Sequence, residues 1–139
     1  MNGGDSDPTE PQRWLRYAED ELQLATMPSA PSSIAAVRES CWHSQQAAEK
    51  AIKALLLLTT GRFERSHQLN ELADLLPEPW LGQIPRQGLL RLNAWYIESR
   101  YPGDYPEPTS TEALNAITTA RTVYDAVATV FAEANPVAE

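Results

Sequence analysis

Proline decides what this chain can fold into. All 11 prolines fall outside four windows, residues 12–27, 32–76, 86–101 and 109–135. Proline removes a backbone donor and clashes inside a helix, so long windows without it, bounded by it, predict helices. Period-2 alternation is absent and Val and Ile are sparse, so strands are not expected. The spacing predicts a first helix from about Glu10 to Met27, with Thr9 and Gln12 as a capping box and Pro11 in the first turn. Its apolar positions are Trp14, Ala18, Leu22 and Ala25. A second helix runs from Ser32 or Ser33 to Gly61, a length of about 40 Å. Ile34, Val37, Cys41, Ala48, Ile52 and Leu55 share its apolar face. Glu39, His43, Gln46, Lys50 and Lys53 lie opposite, and such a face is ordinarily solvated.

A short helix fits His67 to Leu76, capped by Ser66 and stopped by Pro77. Pro77 to Pro85 is a loop carrying Trp80. A further helix fits Pro85 to about Ser99, with Leu89, Leu92 and Tyr96 on one stripe. Arg100 to Pro108 cannot be regular helix. The last helix opens with a capping box, Thr109 and Glu112. Its stripe is Leu114, Ile117, Ala120, Tyr124, Val127 and Phe131, and it frays near Asn135. The fold expected is therefore all-α: an up-and-down bundle of four long helices plus a short fifth, with the second and last helices as its spine. Residues 1–11 form a flexible acidic segment, 12–134 the domain and 135–139 a frayed end.

Composition bounds the chemistry. The 139 residues make one domain, and an apolar content of 42% suits a folded chain. No stretch is long and apolar enough to span a bilayer, and no secretory signal is visible, so a cytoplasmic protein is expected. A net charge of −8 argues against broad coating of nucleic acid. The acidity is uneven: residues 1–21 carry −4 and 102–139 carry −5, while 22–101 carry +1. Cys41, the one cysteine, lies on the apolar face of the second helix and reads as a small buried hydrophobe rather than a nucleophile. A single Glu-x-x-His, Glu64 to His67, and two histidines in all predict no metal site, and no cofactor fingerprint is present. The four tryptophans read as core or dimer contacts.

Two turns hold side chains suited to phosphate chemistry. Arg100 to Tyr105 combines an arginine, two tyrosines and an aspartate with flanking prolines that limit the chain's freedom. Arginine suits phosphate through its planar fork of donors, and tyrosine can stack on a base. The plain alternative is a tight interhelical loop. Arg62, Arg65 and His67 form a second basic cluster, in which a neutral imidazole could act as a base; its plain alternative is a solvated loop with His67 packing or capping.

The segment Cys41-Trp-His-Ser-Gln-Gln-Ala-Ala-Glu-Lys-Ala-Ile-Lys-Ala-Leu-Leu56 resembles the signature helix of HEPN domains. Trp14 to Leu22, His67-Gln-Leu69, Tyr96-Ile-Glu-Ser-Arg-Tyr-Pro102 and the last helix extend the resemblance over about residues 12–134. It implies a helical bundle that forms a homodimer, with a cleft across the two-fold axis. It also implies metal-independent endoribonuclease activity through an Arg-x(4–6)-His motif. A further implication is pairing with a minimal nucleotidyltransferase antitoxin, which in some pairs adenylylates a tyrosine just after the motif. Arg100 matches the motif arginine, and Tyr105 stands where the histidine would be. Arg62 and His67 also fit the formula, in a different place. Carried over, Arg100 and Tyr105 are the candidate catalytic residues. Arg100, Tyr101, Lys50 and Lys53 are the candidate RNA- or nucleotide-binding residues, and Tyr105 is the candidate adenylylation target. The alternative function is a non-catalytic dimeric nucleotide- or RNA-binding module, or an accessory partner of a nucleotidyltransferase.

Overall fold

The computed structural model describes residues 10–27, 33–97 and 107–134. They form five α-helices and no strand: α1 (Glu10–Thr26), α2 (Ile34–Thr60), α3 (Leu69–Asp74), α4 (Arg86–Ile97) and α5 (Ser110–Ala134). A 3-10 turn at Trp80–Gln83 interrupts the loop between α3 and α4. Residues 1–9, 28–32, 98–106 and 135–139 lie outside the described set, so Thr9 of the first expected capping box is not among the residues placed. Of the expected N-terminal segment, Glu10 and Pro11 form the first turn of α1.

The helix ends follow from local chemistry. Ser33, in extended conformation, accepts the Ala36 N–H at 3.1 Å and starts α2. Gly61 ends it at φ 85°, where a side chain would strain the backbone, and its N–H reaches the Leu56 and Leu57 carbonyls. At α5 the capping box is reciprocal: Thr109 N–H donates to Glu112 Oε1 at 2.8 Å, and Glu112 N–H donates to Thr109 Oγ1 at 3.1 Å.

Helix α2 is the centre of the molecule. It packs along α1 and α5 and also meets α3 and α4. α1 runs antiparallel to it: Ser40 near the start of α2 donates to the Ala25 carbonyl at 2.8 Å, while Trp14 near the start of α1 meets Phe63 beyond the end of α2. Cys41, Ile52, Leu55, Leu72, Leu89 and Val123 are at most 1% exposed and anchor the core. Burial, and then the Glu112 charge, push the Cys41 thiol up to about 12, which keeps it protonated and inert.

Three expectations are corrected. α3 starts at Leu69, not His67, because Ser66 spends its hydroxyl one turn earlier: Ser66 Oγ accepts the Gln68 N–H at 3.0 Å and donates to Glu71 Oε1 at 3.1 Å. The first helical N–H, of Leu69, is taken by Asn93 Oδ1 of α4 at 2.7 Å. On α5, Leu114 is half-exposed, and the buried stripe is Ala113, Ala116, Ala120, Val123, Val127, Val130 and Phe131. Ala120 packs against Leu22 of α1 and Ala47 of α2, and beside the stripe α4 comes so close that a Cβ built on Gly88 would stand 2.6 Å from Thr119 Cγ2. Ile34, in the first turn of α2, is likewise largely exposed rather than part of the inner face.

Candidate functional site

The motif residues Arg100, Tyr101 and Tyr105 fall outside the described residues. What the structure places is the end of α4, which precedes them in sequence, packed against the middle of α2 and the loop of residues 61–68.

The face of α2 expected to be solvated is mostly covered. Lys53 and Glu49 are 5% exposed, Gln45 is fully buried, and Lys50 and His43 are partly buried. Of that face only Glu39 stays well exposed. The reason is that α1 covers one flank of α2 and the 61–68 loop another, each bringing a partner for the polar groups it buries. A buried charge is tolerated only when paired and hydrogen-bonded.

On the α1 flank Glu21 is the hub. Its carboxylate accepts from Lys50 Nζ at 2.6 Å and meets His43 Nδ1 at 2.6 Å, and His43 Nε2 stands 3.2 Å from Glu39. Burial alone would raise the Glu21 pKa. The hydrogen bonds from His43 and Lys50, with the Lys50 charge, outweigh it and hold the carboxyl below its usual range. From here a chain of amides crosses α2. Lys50 donates to Gln46 Oε1 at 3.2 Å, Gln46 to Gln45 Oε1 at 2.8 Å, and Gln45 to Glu49 Oε1 at 3.1 Å.

Glu49 is the second hub. Its Oε2 accepts from Lys53 Nζ at 2.8 Å and lies 2.9 Å from His67 Nδ1. Lys53 is also held over the Phe63 ring, 5.0 Å from its centroid, and Phe63 meets Trp14 edge-on at 5.0 Å. The His67 ring is 47% exposed and stacks on Tyr96 at 4.2 Å and 15°; Tyr96 in turn stacks on Trp42 at 5.6 Å. The end of α4 is thereby clamped between α2 and the loop. A cavity of about 510 Å³ opens here, lined by Lys53, Phe63, Arg65 and His67.

Of the candidate binding lysines, Lys53 forms part of the cavity wall and Lys50 belongs to the Glu21 cluster. The Glu49–His67 pair was not foreseen, although Glu49 and Lys53 four apart on a helix are a readable ion-pair signal. The tryptophans are all partly buried; Trp14, Trp80 and Trp95 pack against the core, and Trp42 stacks on Tyr96. Among the described residues no group of three or more His, Cys, Asp or Glu could hold a metal ion, and no helix is long and apolar enough to cross a membrane.

Comparison with known proteins agrees with the helical fold. TT1696 from Thermus thermophilus superposes with a TM-score of 0.71 at 26% identity, over 87% of this chain and 98% of that one. ST0689, an archaeal HEPN homologue, superposes with a TM-score of 0.64 at 29% identity, over 86% of this chain and 96% of that one. No curated protein sequence matches. The HEPN domain model matches residues 11–130, from the first turn of α1 into the last turns of α5, and the chain belongs to the HEPN domain family.

Proposed function

We propose that this HEPN protein is the ribonuclease-like toxin component of a toxin–antitoxin pair, acting on RNA in the cytoplasm without a metal, at a cleft shared across a homodimer. The observation that supports this best is the clamp on α4. Tyr96, one turn before Arg100 in sequence, is held between Trp42 and His67, beside the buried Glu49 carboxylate. Arg100 follows Ile97 by three residues, which span at most about 11 Å of chain. The last described turn of α4 carries Tyr96, which stacks on His67 of the cavity lined by Lys53, Phe63, Arg65 and His67. The forked donors of Arg100 suit the scissile phosphate and the charge that grows on it during cleavage. Tyr101 stacks on a base, and Tyr105 orients the phosphate or accepts the adenylyl group from a nucleotidyltransferase antitoxin.

The test is cleavage of single-stranded RNA by purified protein in EDTA. Wild type cleaves, and Arg100→Ala loses at least about 100-fold, the usual cost of removing one group that stabilises transition-state charge. No cleavage by correctly folded wild type overturns the reading. Tyrosine in place of the motif histidine favours a second reading, a dimeric nucleotide- or RNA-binding module that serves a nucleotidyltransferase. That reading expects RNA binding that weakens in Arg100→Ala, with no turnover in either protein. A monomer by light scattering removes the shared cleft from both.

A further inference from the structure

We infer that His67, oriented by Glu49, is the catalytic base of this site, and that it works with Phe63 and Arg65 as a nucleotide subsite. The inference rests on the ribonuclease reading above and supplies what Arg100 and Tyr105 lack. Cleavage through the ribose 2′-hydroxyl needs a base poised near neutral pH. A phenol, with an ordinary pKa of about 10, is a poor one. The chain has two imidazoles, and the structure treats them differently. Both nitrogens of His43 are engaged, by Glu21 and Glu39. His67 engages Nδ1 alone, with Glu49 Oε2 at 2.9 Å, and its Nε2 has no hydrogen-bond partner among the described residues.

A Nδ1–H donated to a buried carboxylate fixes the tautomer and leaves the lone pair on Nε2. Stacking on Tyr96 fixes the ring plane. Glu49 is itself held by Lys53 and Gln45, so the orienting carboxylate cannot swing away. Glu49 is therefore a positioning residue and His67 the group that meets substrate. The remaining walls of the cavity fit a nucleotide. Phe63, braced by Trp14 and Lys53, offers a ring on which a base can stack. Arg65 is exposed at the rim and offers its fork to a phosphate.

In the step assigned to this site, His67 Nε2 takes the proton of the 2′-hydroxyl as that oxygen forms a bond to the adjacent phosphorus. The bond from phosphorus to the 5′-oxygen breaks, and the electron pair leaves on that oxygen. The departing oxygen takes a proton from water, and the hydroxide formed is neutralised by the proton on the imidazolium. The products are a 2′,3′-cyclic phosphate and a 5′-hydroxyl.

The test uses the full chain and a mixed-sequence RNA oligonucleotide in EDTA. His67→Ala is expected to lose about 100-fold or more of the cleavage rate, the range typical of general bases. Free imidazole added to that variant restores part of it. In wild type labelled with ¹⁵N-histidine, an uncleavable 2′-O-methyl RNA shifts the His67 imidazole signals and leaves those of His43 in place. Should His67→Ala misfold, His67→Gln, which keeps a donor for Glu49, replaces it. Cleavage that persists within about threefold in the variant overturns the inference and leaves the ribonuclease reading standing. So does a loss that imidazole does not repair together with an unmoved His67 signal. No cleavage by wild type overturns both.

Discussion

Glu21, His43 and Lys50 on one flank of α2, and Glu49, His67 and Lys53 on another, use the same three side-chain types to different ends. In the first group every polar end is matched within the described structure, with Glu39 closing the far side of His43 and Gln46 joining Lys50. In the second, the carboxylate and the ammonium are buried while the imidazole reaches half into solvent. A closed cluster of this kind holds α1 to α2. An open one holds a reactive group at a fixed place on the surface. The two are joined through Gln46 and Gln45, so the difference lies in exposure rather than in composition.

The largest way to break this contrast is Glu49→Gln. It strands a buried ammonium, and breaking a buried pair from one side costs about 3–5 kcal/mol. Urea denaturation reads it, and a loss under about 1 kcal/mol means that Lys53 finds water in the folded state. Replacing both partners, Glu49→Leu with Lys53→Met, recovers most of the loss.

The histidines come next. His43→Ala leaves Glu21 short of a partner inside the fold and costs about 1–3 kcal/mol. His67→Ala costs below about 1 kcal/mol, because its ring is half in solvent and Glu49 keeps Lys53 and Gln45. Equal losses in the two variants erase the distinction between a closed and an open cluster.

The third effect is on pH. The folded Glu21 carboxyl lies below its usual range, so its contribution is fully present above the unfolded value of about 4.3 and is lost as pH falls through the lower, folded one. Urea midpoints measured from pH 6 down to 3 fall for wild type, and Glu21→Gln flattens the part of that slope that Glu21 owns. The smallest effect belongs to the exposed pair of Arg38 and Glu107, 2.9 Å apart. Arg38→Ala changes stability by less than about 1 kcal/mol, and the change shrinks further in high salt.

The parts of this fold that were legible in the sequence are local ones. Ser33, Gly61 and the Thr109–Glu112 box each act within a few residues of themselves, and the prolines separate the helices by excluding themselves from them. Periodicity told which side of α2 is apolar, but not how many neighbours surround it, so Lys53 read as a surface residue. On α5 the larger Leu114 outranked the alanines by hydropathy, whereas it is the alanines that face the neighbouring helices, Ala120 against Leu22 and Ala47. Arg100 is read from the family resemblance and lies outside the described residues. His67 and Glu49, 18 positions apart, meet only because the loop after Gly61 folds back along α2.

The all-round burial of α2 has a consequence for any screen. A random library selected for loss of any activity of this protein will collect substitutions from Ser40 to Leu56 in abundance, and most will report a collapsed protein rather than a disabled one. Informative hits are those at solvent-reaching positions such as His67 and Arg65, where the protein survives the change and only its behaviour differs. Sorting such a library by soluble expression before sequencing separates the two populations.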